Sequence, residues 1–318
     1  MTTSRSRHLV DPQLSGFLDL LPVTPLSDET LAEMRGRSLA LPASPEAVEK
    51  VELTRHFIPG PKGAPDLEML VYRPRASKGV LPCIFHIHGG GFVGGDANEI
   101  EPMLRPLAAE LDCVTTSINY RLAPETRFPG AIEDCYAALA WVVQNAAALG
   151  VDTTRIGLKG ESAGGGLAAA LALLARDRGE YRLAFQSLAY PMLDDRTCVI
   201  EENPFAGEFL WTPHNNAYGW AAYLGQPPGS EGVSPYAAPA RAESLAGLPP
   251  TFISAGTLDL FIDEDIDYAR RLIRAGVPCE LHIYPGGFHG FDIAPGVVVS
   301  AMARRDTLEA LRRMLRPA

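Results

Sequence analysis

From residue 80 onward the apolar and polar positions switch repeatedly between two periods. VLPCIFHIH is a nearly continuous apolar run, which predicts a buried strand, and residues 98–111 follow with a helical period. CVTTSINY predicts a strand, 130–148 a helix, RIGLKG a strand, 163–177 a helix and LAFQSLAY a strand. TFISAG, 263–275 and CELHIY continue as strand, helix and strand, and the last helix spans 297–315. Continuously apolar strands alternating with helices predict an α/β fold, with a mostly parallel central sheet covered by helices on both faces.

Upstream, 12–22 and 27–38 read as short helices. Ser27 is placed to cap the second, with Leu26 before it as a hydrophobic staple. LPASPEA, 41–47, reads as a linker, and KVELTRHFI and LEMLVYRP as a strand pair joined by the turn-rich PGPKGAPD. One stretch breaks the alternation. Residues 194–247 hold no clear strand but carry Phe205, Phe209, Leu210, Trp211, Trp220 and Tyr223, with Thr212 placed to cap a helix over Pro213–Leu224. An insertion this long and this aromatic predicts a functional element. The expected division is an α/β domain over 46–193 and 248–318, with a helical cap from 1–45 and 194–247.

Composition narrows the function classes. At 318 residues and 47% hydrophobic content the chain can bury a large core. A net charge of −10 without a basic stripe argues against nucleic acid and anionic membrane as partners. The five cysteines are dispersed and include no CxxC, so neither a disulfide framework nor a zinc knuckle is expected. MTTSRSRHLVDPQLSGFLDL lacks the long apolar region of a secretory signal, and GGGLAAALALLA is too short to span a bilayer. A cytoplasmic protein without stable membrane anchoring is expected.

Two motifs carry chemistry. Gly160-Glu161-Ser162-Ala163-Gly164 lies between a predicted strand and a predicted helix. Such a turn is tight enough that side chains two residues either side of the serine would clash, so glycines occupy those places and the serine is pushed above the sheet. The helix N-terminus there favours the negative charge built during acyl transfer. A serine needs a base and an orienting acid. His289, in YPGGFHGF, and Asp259, in GTLDLFIDED, each follow a predicted strand, where an open α/β sheet gathers its site. Asp263 and Asp265 compete with Asp259 but suit the first turn of the following helix.

The second motif is HIHGGGFVGGD, 86–96. Bare backbone at Gly90 and Gly91 lets their N–H groups approach a tetrahedral oxyanion, with the N–H of Ala163 as a third donor. His86 and His88 as a metal pair are the weaker reading, because no companion ligand cluster stands at suitable spacing. His88 and Gly89 are therefore expected to support the glycine loop, and His86 to be a satisfied strand residue. No metal or organic cofactor is called for. In Tyr120-Arg121-Leu122-Ala123-Pro124-Glu125 an architectural role is expected, either an Arg121–Glu125 pairing or a turn brace.

The chain resembles the hormone-sensitive-lipase-like carboxylesterases, the bacterial family IV esterases of the α/β-hydrolase fold. The resemblance rests on HGGGF at 88–92, INYRLAPETRFPG at 118–130, GESAGGGLAAA at 160–170, YPMLDD at 190–195, GLPPTFISAGTLD at 247–259 and YPGGFHGF at 284–291. It implies Ser162 as nucleophile, His289 as base, Asp259 as acid and an oxyanion hole of Gly90, Gly91 and Ala163. Short- to medium-chain carboxylic esters are the implied substrates. Glu161 stands where the family often has Asp, and Leu260-Phe261 where Pro-Leu is commoner. Phe92, Phe209, Leu210, Trp211 and Phe288 are the expected substrate-binding side chains. Amidase, lactonase or lipase chemistry on the same triad, or a non-catalytic small-molecule receptor, are the alternatives. A homodimer is expected through an edge strand such as CELHIY.

Overall fold

A computed structural model describes residues 4–21, 23–36, 43–201 and 203–316. Among these, β1 (Val51–Ile58), β2 (Leu67–Pro74), β3 (Leu81–Ile87), β4 (Val114–Ile118), β5 (Val151–Glu161), β6 (Gln186–Ala189), β7 (Thr251–Gly256) and β8 (Cys279–Tyr284) form one sheet. Their order is β1-β2-β4-β3-β5-β6-β7-β8. β1 pairs antiparallel with β2, and β2 antiparallel with β4; every other pairing is parallel. All seven residues of β3 are buried, because β4 and β5 flank it and helices cover both faces. The chain leaves β3 to one side to make β4, then returns to the other side to make β5. That reversal opens a crevice beyond the C-terminal ends of β3 and β5, where such sheets bind ligands.

The helices are α1 (Ser15–Leu18), α2 (Leu31–Gly36), α3 (Pro45–Lys50), α4 (Glu101–Leu111), α5 (Gly130–Gln144), α6 (Ala146–Leu149), α7 (Ala163–Arg178), α8 (Pro213–Leu224), α9 (Ile262–Arg274) and α10 (Val298–Met314). The run GGGLAAALALLA is the body of α7, whose residues from Ala163 to Ala175 are all buried. An all-round apolar helix of this length is a core helix. No helix among the described residues is long and apolar enough to cross a membrane.

Several boundaries differ from expectation. The predicted linker 41–47 contains the start of α3: Ser44 accepts a bond from the Ala47 N–H at 3.2 Å, and Pro45 follows at the first helical position. The predicted helix 12–22 shrinks to the single turn α1, with Pro22 outside the described residues. The predicted helix 27–38 is α2, entered through a turn in which Ser27 and Thr30 each accept the other's backbone N–H. Residues 37 and 38 lie outside the described residues. Helix 130–148 divides at Asn145, whose side chain donates to the Trp141 carbonyl at 2.8 Å and competes with the helical ladder. Arg121 does not pair with Glu125. Its guanidinium grips the buried Asp134 of α5, with a shortest contact of 2.6 Å, while Glu125 pairs with Arg35 of α2.

The N-terminal segment and the 194–247 segment are bound to each other. Thr212 caps α8 by accepting from Asn215 N–H at 3.3 Å, and Asn215 in turn accepts from Leu26 N–H at 2.9 Å. His214 bonds the Leu26 carbonyl at 2.9 Å, and Tyr218 donates to Asp28 at 2.9 Å. Glu208 accepts from the Ser6 N–H and hydroxyl at 2.8 and 2.6 Å.

Candidate active site

Three loops at the C-terminal ends of β5, β7 and β8 converge. Ser162 follows β5, Asp259 lies between β7 and α9, and His289 follows β8. The Ser162 hydroxyl donates to His289 Nε2 at 2.9 Å, and the His289 Nδ1–H donates to Asp259 Oδ2 at 2.9 Å. The second Asp259 oxygen accepts the Phe261 N–H at 2.9 Å, which fixes the carboxylate plane. Asp259 is fully buried, while Ser162 and His289 keep 7% and 8% exposure, enough to meet a small ligand. These contacts are compatible with a Ser-His-Asp triad.

Ser162 has φ 56° and ψ −125°, a region L-residues rarely occupy, at a cost of roughly 1–3 kcal/mol. The conformation is held from outside. Ser162 N–H donates to the Ala189 carbonyl at 2.9 Å, and the Ser162 carbonyl accepts from Gly166 and Met192 at 3.0 and 2.9 Å. Gly164 is required here: a Cβ on it would overlap the Ile87 and His88 carbonyls. The loop after β3 is equally constrained, with φ values of 117°, 61° and 66° at Gly90, Gly91 and Phe92. A Cβ on Gly91 would overlap the Trp211 ring.

His88 props this loop. Its Nδ1–H donates to the Gly89 carbonyl at 2.8 Å, and its ring stacks on Tyr120 at 4.3 Å. Tyr120 completes the brace by donating to the His88 carbonyl at 3.0 Å. Burial pushes the His88 pKa down to about 4, so the ring is neutral at physiological pH.

Beneath the serine lies a charged row that the sequence did not expose. In register, His86 of β3 stands between Ser117 of β4 and Lys159 of β5. Glu161 is two residues along β5 and so on the same face. His86 Nδ1 meets the Ser117 hydroxyl at 3.0 Å, His86 Nε2 meets Glu161 at 2.7 Å, and Lys159 donates to the other Glu161 oxygen. Burial opposes ionisation of Glu161, but Lys159 and His86 outweigh it and hold the carboxyl below its ordinary range. The partners of Glu161 are thus Lys159 and His86. Tyr190, at φ 36°, packs its ring edge-on to His289 at 4.9 Å and donates to Asp292 at 2.7 Å.

The rival acids stand elsewhere. Asp263 accepts from Asn203 at 3.2 Å on the surface. Asp265 is fully buried in the first turn of α9, and neither of its oxygens has a hydrogen-bond donor among the described residues. Burial, with Glu264 and Asp259 adding to it, raises its carboxyl well above the ordinary 3.8. A raised folded-state pKa contributes stability that is fully present below the unfolded value, and lost as pH rises through the folded one. Asp265→Asn removes this titration. Its stability relative to wild type therefore rises with pH from about 4 upward, by up to about 1.4 kcal/mol per pH unit. Urea unfolding midpoints at mildly acid and mildly alkaline pH check this; parallel pH curves for the two proteins would refute it.

Of the expected substrate-binding side chains, two lie against the triad. Trp211 covers Gly91 with its indole and stands 6.3 Å from the His289 ring. Leu210 precedes it at φ 56°, in a three-residue turn closed by Trp211 N–H donating to the Phe209 carbonyl at 2.7 Å, and its methyl faces Gly290. The other three sit in packed surroundings, as does Leu210, which packs against the same cluster as Phe209 and Phe288. Phe92 stacks on Tyr223 of α8 at 4.1 Å, and Phe209 meets the fully buried Phe288 edge-on at 6.0 Å, within an apolar cluster that includes Leu14.

A family model described as the alpha/beta hydrolase fold matches residues 84–293. Esterase LipI of Mycobacterium tuberculosis is 35% identical to this chain, with 98% of each chain covered. Carboxylesterase NlhH of the same organism is also 35% identical, again with 98% of each covered. Among solved structures, a bacterial heroin esterase superposes with a TM-score of 0.90 at 40% identity, covering 98% of this chain and 99% of its own. The chain belongs to the α/β-hydrolase fold family, in its hormone-sensitive-lipase-like branch of serine carboxylesterases.

Proposed function

We propose that this protein hydrolyses short- to medium-chain carboxylic esters of small molecules through an acyl-enzyme formed on Ser162. The observation that carries the reading is His289, bonded on one side to Ser162 and on the other to Asp259. With its Nδ1 proton held by Asp259, the imidazole presents a lone pair at Nε2. It takes the Ser162 proton as Oγ attacks the ester carbonyl, and Asp259 stabilises the imidazolium that forms. The N–H groups of Gly90, Gly91 and Ala163 receive the oxyanion, each worth about 3 kcal/mol. His289 then protonates the leaving alcohol, and later takes a proton from the water that cleaves the acyl-enzyme.

Residues 1–45 and 194–247 act as the cap over this site, a role supported by their mutual hydrogen bonds and by Trp211 lying on Gly91. An indole there leaves room for a short acyl group. Across p-nitrophenyl esters from acetate to palmitate, wild-type kcat/KM is expected to peak among the shorter members. Trp211→Ala is expected to move the peak to longer chains, with each accommodated methylene worth about 1 kcal/mol or more. A peak at palmitate in the wild type, or an unmoved peak in the variant, contradicts this pocket. A cytoplasmic setting is supported by the five free cysteines. A homodimer is supported by β8, which among the described residues pairs with β7 alone.

A further inference from the structure

We propose that Arg35, on helix α2 far from the triad in sequence, is a positioning residue that locks the oxyanion loop and so makes catalysis depend on docking of the N-terminal segment. The inference rests on the assignment of Gly90 and Gly91 as oxyanion donors.

The loop after β3 runs through three consecutive residues at positive φ, and such a backbone persists only where its surroundings over-determine it. Two of its carbonyls are satisfied by backbone N–H groups. Gly90 O accepts from Val93 and Gly94 at 3.1 and 2.9 Å, and Phe92 O accepts from Ala123 at 2.9 Å. The carbonyl of the fully buried Val93 is different: Arg35 Nε–H donates to it at 2.7 Å. The same guanidinium donates through Nη2 to the Ala123 carbonyl at 2.7 Å, and forms a two-pronged pair with Glu125 at 2.7 and 2.8 Å. Met34, beside it, packs its thioether against Gly94. One planar fork therefore ties the glycine loop to the 120–125 turn that braces it. A lysine, as a single point donor, reproduces only part of this pattern.

Arg35 also belongs to a longer path. The segment that carries it is bonded to α8 through Leu26–Asn215 and Asp28–Tyr218. Movement of the N-terminal segment off α8 withdraws the donor from Val93 and frees the loop to relax toward ordinary φ values. The N–H groups of Gly90 and Gly91 would then leave the position of the oxyanion. Ester binding, which does not need those donors, is largely spared.

The test compares full-length wild type, Arg35→Met and Arg35→Lys. Three readouts are taken: steady-state kinetics on a p-nitrophenyl ester, thermal unfolding, and inhibition by an alkyl trifluoromethyl ketone against its methyl ketone counterpart. The trifluoromethyl ketone forms a C–O bond with Ser162 as the hydroxyl proton passes to His289, leaving an oxyanion for the hole. Arg35→Met is expected to lower kcat by roughly tenfold to a hundredfold with KM within about twofold, the scale of a small misplacement of catalytic groups. Its preference for the trifluoromethyl ketone should fall by the same factor, and Arg35→Lys should be intermediate in both. Variants with wild-type kcat and wild-type preference, or a loss confined to KM, overturn the proposal. If Arg35→Met does not fold, Arg35→Lys, which keeps its charge opposite Glu125, decides on the same criteria. A wild type that binds both ketones equally overturns the oxyanion assignment itself and this inference with it. A selective wild type with equally selective variants overturns the role of Arg35 alone.

Discussion

Ser162→Ala is expected to abolish ester hydrolysis while leaving the protein folded. The Ser162 hydroxyl bonds to His289, whereas the backbone bonds that hold the strained turn are made by the N–H and carbonyl, which alanine retains. The conformation at φ 56° costs alanine about what it costs serine. Loss of the nucleophile from a comparable serine triad lowers kcat by roughly 10⁶-fold, to what binding and the oxyanion hole supply alone. Parallel thermal unfolding curves with an ester hydrolysis rate roughly 10⁶-fold below wild type are the expected pair of results. A variant retaining even a tenth of the wild-type kcat would mean that the acyl group is carried elsewhere.

Asp259→Asn is the second large effect, and its cause is the tautomer of His289. The Phe261 N–H holds one carboxylate oxygen, so the asparagine oxygen stays on that side and its NH₂ turns toward His289 Nδ1. A donor facing Nδ1 places the imidazole proton on Nε2, where it meets the Ser162 hydroxyl and cannot accept its proton. The corresponding change in a Ser-His-Asp enzyme lowers kcat by about 10⁴-fold with geometry intact. The loss should appear in kcat far more than in KM, because Asp259 is fully buried and out of reach of substrate. An unchanged kcat would point to another carboxylate, yet Asp263 is engaged with Asn203, and Asp265 has no donor among the described residues, His289 included.

The legible parts of the site were those encoded locally. The strand-turn-helix context of GESAG places Ser162, and acids and histidines just beyond apolar strands are few enough for Asp259 and His289 to stand out. Contacts across the sheet were not legible. Glu161 finds Lys159 on its own strand, which period-two alternation could have suggested, but His86 joins them only because β3 lies beside β5. Of the two readings of the 120–125 turn, the short-range Arg121–Glu125 pairing is not the one formed. The actual partner, Asp134, is delivered by the first turns of α5. Arg35 reaches Val93 from a helix of one and a half turns whose placement depends on tertiary contacts. Helix α3 differs in kind, because its start signals are local. Ser44-Pro45-Glu46 carries the cap, the first-turn proline and the early acid of a helix start, yet reads as linker when its prolines are weighted alone.

The central claim is that one serine carries the acyl group, and covalent labelling tests it most directly. A p-nitrophenyl alkylphosphonate transfers its phosphonyl group to the Ser162 oxygen and releases p-nitrophenolate, leaving a stable analogue of the tetrahedral intermediate. Intact-protein mass spectrometry followed by peptide mapping should find one phosphonyl group per chain, on the peptide containing Ser162, with loss of activity in proportion to labelling. No label on Ser162→Ala completes the expected result. Labelling at another residue with matching loss of activity, or full activity in a protein labelled at Ser162, would contradict the account.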